Sequence, residues 1–76
     1  MNNLRRKKIK NALEQLEDLQ ELIEEVKDEE QEVLNNVPDN LRDSERTSKI
    51  EENVEELENV QDSLDDIKNS LENILE

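Results

Sequence analysis

The sequence predicts an all-α fold: an antiparallel two-helix hairpin, coiled-coil-like, that dimerises into a four-helix bundle. Three observations lead to this prediction. In two long stretches, apolar residues recur at alternating steps of three and four, the spacing of a helix with one apolar side. The single proline lies between those stretches. The chain also has no Gly, Phe, Tyr or Trp, which argues against folds built from strands and glycine turns.

Composition limits both the size of the core and the available chemistry. The 76 residues form one small domain, residues 1–76, and with 30% hydrophobic residues against 43% charged ones its core must be thin. Such a composition favours disorder, but the periodic placement of the apolar residues outweighs the average. The chain has no His and no Cys, so it lacks the common general bases, thiol nucleophiles and zinc ligands. We therefore expect no enzyme activity, no cofactor and no metal site.

The net charge of −13 is unevenly distributed. Residues 1–10 carry five bases and no acid, so the other 66 carry five bases, all 23 acids and a net charge of −18. Such a surface disfavours direct contact with nucleic acid or anionic membrane. It favours a basic protein partner, or serves only to keep the protein soluble. No apolar run approaches the roughly 18 residues that span a bilayer, and no signal-peptide segment follows the basic start. We expect a cytoplasmic protein.

The first helix is predicted over residues 3–35. Counting from Ile9 in steps of three and four gives eight positions, of which only Glu30 is polar. Further apolar residues widen this stripe, as expected for a helix with more than one neighbour. The helix should end before Pro38, because the residue preceding a proline is disfavoured in the α region. The stripe comprises Ile9, Ala12, Leu16, Leu19, Ile23, Val26, Glu30 and Val33, flanked by Leu13, Leu22 and Leu34.

A turn is predicted over residues 36–43, which are rich in Asn, Asp and Pro. The second helix should be capped by Asp43 or Ser44. A capping-box pattern that begins at Ser48 leaves a start four residues later open. Two apolar side chains of the turn, Val37 and Leu41, are expected to fold over the end of the core.

The second helix is predicted over residues 44–75 and repeats the pattern of the first. Seven of its eight stripe positions are apolar, with Asn53 as the exception. The stripe comprises Ile50, Asn53, Leu57, Val60, Leu64, Ile67, Leu71 and Ile74, flanked by Val54 and Leu75.

Folding the chain at the turn places opposite one another the positions whose numbers sum to 83. Leu16 then meets Ile67. The two polar exceptions, Glu30 and Asn53, also sum to 83, which supports this register. Three interpretations of the polar layer remain open. Glu30 extends past the seam to water, the pair specifies register and oligomeric state, or it makes a functional contact.

The same register brings the basic segment, Arg5–Lys10, beside the end of the second helix, near Glu72 and Glu76. Cations at a helix N-terminus oppose its macrodipole. We expect the opposite charges across the hairpin and the negative C-terminal end of the second helix to compensate. Two helices cover only one side of each other's apolar stripe. We therefore expect a homodimer, most simply a two-fold antiparallel four-helix bundle, or burial of the edge of the stripe against another protein.

Four segments follow one another in a recognisable order: a basic start at Arg5–Ile9, an acidic stretch at Asp28–Glu32, a hinge at Asn36–Leu41 that leads into Ser44–Arg46, and an acidic helix with Leu/Ile spacing. This order resembles short acidic helical-hairpin proteins of unknown function that are encoded by phages and prophages of Gram-positive bacteria. The resemblance implies a viral or mobile-element setting and no mechanism. In that setting we expect a small acidic protein that binds and inhibits a host protein.

Two further hypotheses remain open. A rod about 45–50 Å long, at 1.5 Å per helical residue, with rows of carboxylates can imitate the phosphate backbone of DNA. Such an acidic DNA mimic would occupy the basic groove of a nucleic-acid-binding enzyme. The remaining hypothesis is a purely structural bundle with no specific partner.

Overall fold

The computed structural model describes residues 1–76 as two long helices joined by a compact turn. Helix α1 spans Asn3–Asn35 and helix α2 spans Glu45–Leu75, with one turn of 3₁₀ helix at Asp39–Leu41 between them. The helices pack against each other and no strand is present, which confirms the all-α prediction. The pair forms a rod whose principal extents are 60 × 15 × 14 Å. Neither helix has a segment long and apolar enough to cross a membrane.

Four side-chain bonds between the helices show that the two run antiparallel. Each bond joins residues whose numbers sum to between 81 and 85, around the predicted 83. The sum stays nearly constant along the rod because residue numbers increase along one helix in the direction in which they decrease along the other. The four pairs are Arg6 with Leu75, Glu17 with Lys68, Gln20 with Asp65, and Glu30 with Asn53.

The basic segment contacts the backbone at the negative C-terminal end of α2, which is one of the two attractions expected there. The guanidinium of Arg6 donates a hydrogen bond to the carbonyl oxygen of Leu75. No ion pair joins the segment to Glu72 or Glu76. The last carbonyl groups of a helix lack partners within it and carry its negative dipole end, so they attract a cation as a carboxylate would.

A hydrogen-bond network centred on Thr47 holds the turn. Ser44 is the N-cap of α2, and its Oγ accepts the N–H of Thr47 at 3.2 Å. The hydroxyl of Thr47, a residue only 3% exposed, donates to the carbonyl oxygen of Leu41 at 2.8 Å. The alternative helix start at Ser48 is therefore wrong, because α2 already includes that residue.

Leu41 does not cover the end of the core in the way the sequence suggested. Its side chain is half exposed, whereas Val37 is half-buried. The bond from Thr47 to the Leu41 carbonyl fixes this stretch of backbone, and the N–H of Leu41 is itself bound by the carbonyl oxygen of Pro38 at 2.9 Å. The Leu41 side chain lines a groove at the turn instead.

Replacing Thr47 by Val keeps the shape of the side chain and removes the hydroxyl that binds the Leu41 carbonyl. We expect the free energy of unfolding to fall by about 1 kcal/mol, the net contribution of one intramolecular hydrogen bond, because the Leu41 carbonyl still accepts the N–H of Ser44 at 3.1 Å. Urea unfolding followed by circular dichroism, at one fixed protein concentration, measures this change. Ser48→Ala, which removes the neighbouring exposed hydroxyl, is the control and should stay within about 0.5 kcal/mol of the parent chain. A Thr47→Val protein as stable as the parent would contradict the role of the network.

Candidate protein interface

The seam between the helices follows an uninterrupted alternation of steps of three and four. Five residues of the chain are buried: Leu16, Ile50, Val54, Leu64 and the polar Thr47. The other seam positions are half-buried, as expected for only two helices in contact. On α1 and its extension the seam comprises Arg6, Ile9, Leu13, Leu16, Gln20, Ile23, Lys27, Glu30, Leu34 and Val37. On α2 it comprises Thr47, Ile50, Val54, Leu57, Gln61, Leu64, Lys68, Leu71 and Leu75.

This seam contains only half of the predicted stripe, and the other half lies to one side of it. Leu13 and Val54, predicted as flanking residues, belong to the seam. Several residues predicted to meet inside the hairpin are exposed instead: Ala12, Leu19, Val26 and Val33 on α1, and Ile67 and Ile74 on α2. Of the predicted facing pair Leu16 and Ile67, Leu16 is buried in the seam and Ile67 is 49% exposed beside it. The axial register of the two helices is close to the predicted one.

Long polar side chains occupy several seam positions that the predicted stripe did not include. Gln20 Nε2 donates to Asp65 Oδ1 at 2.8 Å. Lys68 Nζ lies 3.7 Å from Glu17 Oε1. Such side chains pack an aliphatic stem along apolar neighbours while the polar end reaches water or a carboxylate on the opposite helix. The seam therefore tolerates polar residues at its margin, while apolar residues such as Leu19 and Ile67 remain outside it.

One long side of the hairpin is polar. The bonds from Gln20 to Asp65 and from Lys68 to Glu17 both lie on this side. A shallow depression there, about 380 Å³ in volume, has no apolar lining residue. It is bordered by Gln20, Glu24, Gln61, Asp62 and Asp65.

The opposite long side is an apolar face. Each member immediately precedes one seam residue in the sequence and shares one heptad position with the others, as Leu19 precedes Gln20 and Ile67 precedes Lys68. In an antiparallel helix pair, this heptad position projects to the same side from both helices. Five of the members are between 41% and 49% exposed, and Val60 is half-buried. Leu22, which is 54% exposed, extends the face at the outer edge of α1. The apolar face comprises Ala12, Leu19, Val26 and Val33 on α1, and Val60, Ile67 and Ile74 on α2.

A groove of about 380 Å³ continues the apolar face at the turn. Val33 from α1 and Arg46 from α2 both line it, which independently places this position of the two helices on one side of the rod. Arg46 is exposed and has no ion-pair partner. Apart from the cluster of aliphatic residues around the proline, no pattern in the sequence predicted this hinge groove. Its apolar lining consists of Val33, Val37, Pro38, Leu41 and Ile50.

The two predicted polar residues of the stripe meet across the hairpin. Asn53 Nδ2 donates to Glu30 Oε2 at 3.0 Å, and both side chains are half-buried. The carboxylate of Glu30 is therefore bound by the opposite helix and not directed to water alone. Because the bond requires these two residues to lie level, it favours one axial register of the hairpin over its neighbours.

Most carboxylates on the remaining surface are uncompensated. Only four of the 23 acidic residues take part in ion pairs. No group of three or more acidic residues is arranged to hold a metal ion. The cations of the basic segment other than Arg6 are exposed and unpaired. Charge is therefore unevenly distributed along the rod. The basic segment forms a basic end, and the exposed Asp and Glu side chains of residues 11–76 form what we call the acidic walls.

Comparison of the chain with protein-family models, curated proteins and solved structures found no significant match. The surface described above is therefore the basis for any functional proposal.

A double-mutant cycle on Glu30→Ala and Asn53→Ala measures the contribution of the polar layer to folding. We expect a coupling of about 0.5–1.5 kcal/mol in the free energy of unfolding, the range of a partly buried hydrogen bond. The matched control pairs Glu29→Ala with Asn53→Ala, because Glu29 is exposed and makes no bond across the hairpin. Equal coupling in both cycles would show that the Glu30–Asn53 bond does not hold the register.

Proposed function

We propose that this protein is a non-enzymatic homodimer that acts by contact with another protein. Two hairpins associate through their apolar faces into a four-helix bundle, and the acidic walls of that bundle bind a basic surface on the partner. In the phage or prophage setting that the sequence resembles, the partner is a host protein in the cytoplasm, and binding inhibits it.

The observation that carries this proposal is the uncovered apolar face. Exposed aliphatic side chains aligned on one side of a small protein mark an interaction surface, whereas scattered ones are ordinary. These side chains share one side of the rod along nearly its whole length, and the opposite side is polar.

The exposed area supports association of the same kind. A compact monomer of this mass, 9.0 kDa, is expected to expose about 4,900 Å². The hairpin exposes 5976 Å². The excess of about 1,100 Å² is comparable to the roughly 800 Å² that each partner buries in a standard protein interface. A second hairpin on the apolar face would bring the exposed area close to the expected value.

The carboxylates of the acidic walls are evidence that the partner is positively charged. Once the apolar faces are covered, the accessible surface consists mainly of carboxylates without ion-pair partners, and like charges in such number repel each other. A basic protein surface relieves this repulsion and is drawn in by the same long-range field, which makes association fast and dependent on salt.

A charge placed on the apolar face should separate the dimer. Sedimentation of the parent chain should give about twice the monomer mass of 9.0 kDa. Ile67→Glu should raise the dimer dissociation constant at least 100-fold, because it buries a carboxylate among aliphatic side chains without a partner. Asn59→Glu adds the same charge at an exposed position away from the face and is the control. A parent chain that sediments as a monomer at about 100 µM would contradict the proposed dimer.

A DNA mimic is a second candidate. It is favoured by the length over which the carboxylates are uncompensated, since the rod extends 60 Å and most of its acidic residues lack an ion-pair partner. In this case the partner would be a DNA-binding protein, and the bundle would compete with duplex DNA for one groove. In both candidates the acidic walls bind the partner. Only in the second does the partner use the same groove to bind DNA.

Capture from a lysate of a Gram-positive bacterium distinguishes the candidates. Immobilised protein whose acidic walls are left free should retain a basic partner that about 0.5 M salt releases, because the attraction between exposed charges is screened. A variant carrying Glu21→Gln, Glu24→Gln and Glu25→Gln should retain less of it and still dimerise. Release by added duplex DNA would favour the mimic. Failure to retain any partner would favour a purely structural bundle.

A further inference from the structure

We propose that the second copy docks on the apolar face in the opposite direction, so that Ile74 of each copy enters the hinge groove of the other. This inference rests on the proposed dimer. It adds the orientation of the two copies and the side chain that each supplies to the other.

The extent of the apolar face determines where a two-fold axis can lie. In the register of the hairpin, Ile74 lies level with Ile9, and Ile50 lies level with Val33. The face therefore runs from the level of Ile9 to the level of Val33, with its midpoint near Glu21. An axis across the rod at that midpoint superposes the two faces fully. It also sets Ile74 of one copy against Val33 and Ile50 of the other.

The hinge groove suits an aliphatic side chain from a second copy. Five of its lining residues are aliphatic, and three of them, Val33, Pro38 and Leu41, are exposed. Ile74 is 46% exposed at the far end of the same face. If the copies ran in the same direction, two hinge grooves would face each other and neither would receive a side chain from the opposite end.

The distribution of charge along the rod favours the same orientation. At the terminal end, residues 3–10 and 73–76 carry five bases and one acid. Near the hinge, residues 27–35 and 48–56 carry eight acids and two bases. Copies in opposite directions bring each basic end beside the acidic region of the other. Copies in the same direction bring like charges together, which opposes association.

Arg46 provides a further charged contact at the hinge groove. Its guanidinium has no ion-pair partner within the hairpin. In the antiparallel dimer the end of α2 that carries Ile74 also carries Glu76 toward the groove of the second copy. Association would thus bring together an unpaired cation and an unpaired carboxylate.

Cross-linking of single-cysteine variants tests the orientation, because the chain has no cysteine of its own. Lys8 and Asn36 are exposed. They lie two heptads before and two heptads after Leu22, and thus at the same outer edge of the apolar face. The axis sets α1 of one copy on α1 of the other, so position 8 of one lies near position 36 of the second. Within one chain, the two positions are about 42 Å apart along the helix axis.

Lys8→Cys and Asn36→Cys proteins, mixed, exchanged and oxidised, should give a disulfide-linked dimer on a non-reducing gel, while neither protein alone should do so. Cross-linking of Lys8→Cys by itself would overturn the orientation. Sedimentation of the same samples separates this failure from failure of the proposed function. A dimer that does not cross-link in the mixture refutes the antiparallel arrangement alone, and a monomer refutes the dimer and this inference together.

Truncation of Ile74 tests the groove contact in the same sedimentation experiment. Ile74→Ala should raise the dimer dissociation constant at least 30-fold, because the two-fold axis removes the contact twice. Leu4→Ala is the matched control, since Leu4 is an exposed aliphatic residue at the same end of the rod but off the apolar face. Equal effects of the two changes would overturn the assignment of Ile74 to the groove.

Discussion

The width of the apolar stripe is the constraint from which the rest of the structure follows. Each helix carries apolar residues at three positions per heptad, and a single neighbouring helix covers only two of them. Leu16 and Leu64 fall inside the seam, while Leu19 and Ile67 remain outside it. A hairpin with such a stripe can satisfy its own seam and still present an aliphatic surface to a second molecule.

Polar residues decide which part of the stripe becomes the seam. The same order of residue types, apolar, Gln, Lys, apolar, recurs at steps of seven on both helices and lies at the margin of the seam. Bonds from Gln20 to Asp65 and from Lys68 to Glu17 hold the polar ends at the polar side of the rod. This arrangement turns the more uniformly apolar edge outward. The two rows are Leu13, Gln20, Lys27, Leu34 and Val54, Gln61, Lys68, Leu75.

The hinge and the polar layer restrict the hairpin to one alignment. Thr47 ties the start of α2 to the carbonyl of Leu41, so the second helix leaves the turn at a defined point. Asn53 then meets Glu30. Aliphatic residues spaced by heptads slide past one another at little cost, whereas these directional bonds are satisfied in one register only. An aligned hairpin keeps the basic end and the acidic region separate along the rod, which is the basis for a directional association of two copies.

Heptad spacing and the proline determined the two helices, their antiparallel order and the approximate register, because these depend on local periodicity and on one forbidden helical position. The meeting of Glu30 with Asn53 could likewise be predicted, since both are polar exceptions at matched levels. The rotation of each helix about its own axis could not. A stripe that is three heptad positions wide allows the seam to form at either of two pairs of neighbouring positions. The spacing of residues in the sequence does not show at which edge of the stripe the seam accommodates long polar side chains. Only the packed pair decided that Gln20 and Lys68 enter the seam, that Leu19 and Ile67 face outward, and that Leu41 borders a groove, because these outcomes depend on side-chain contacts between distant parts of the chain.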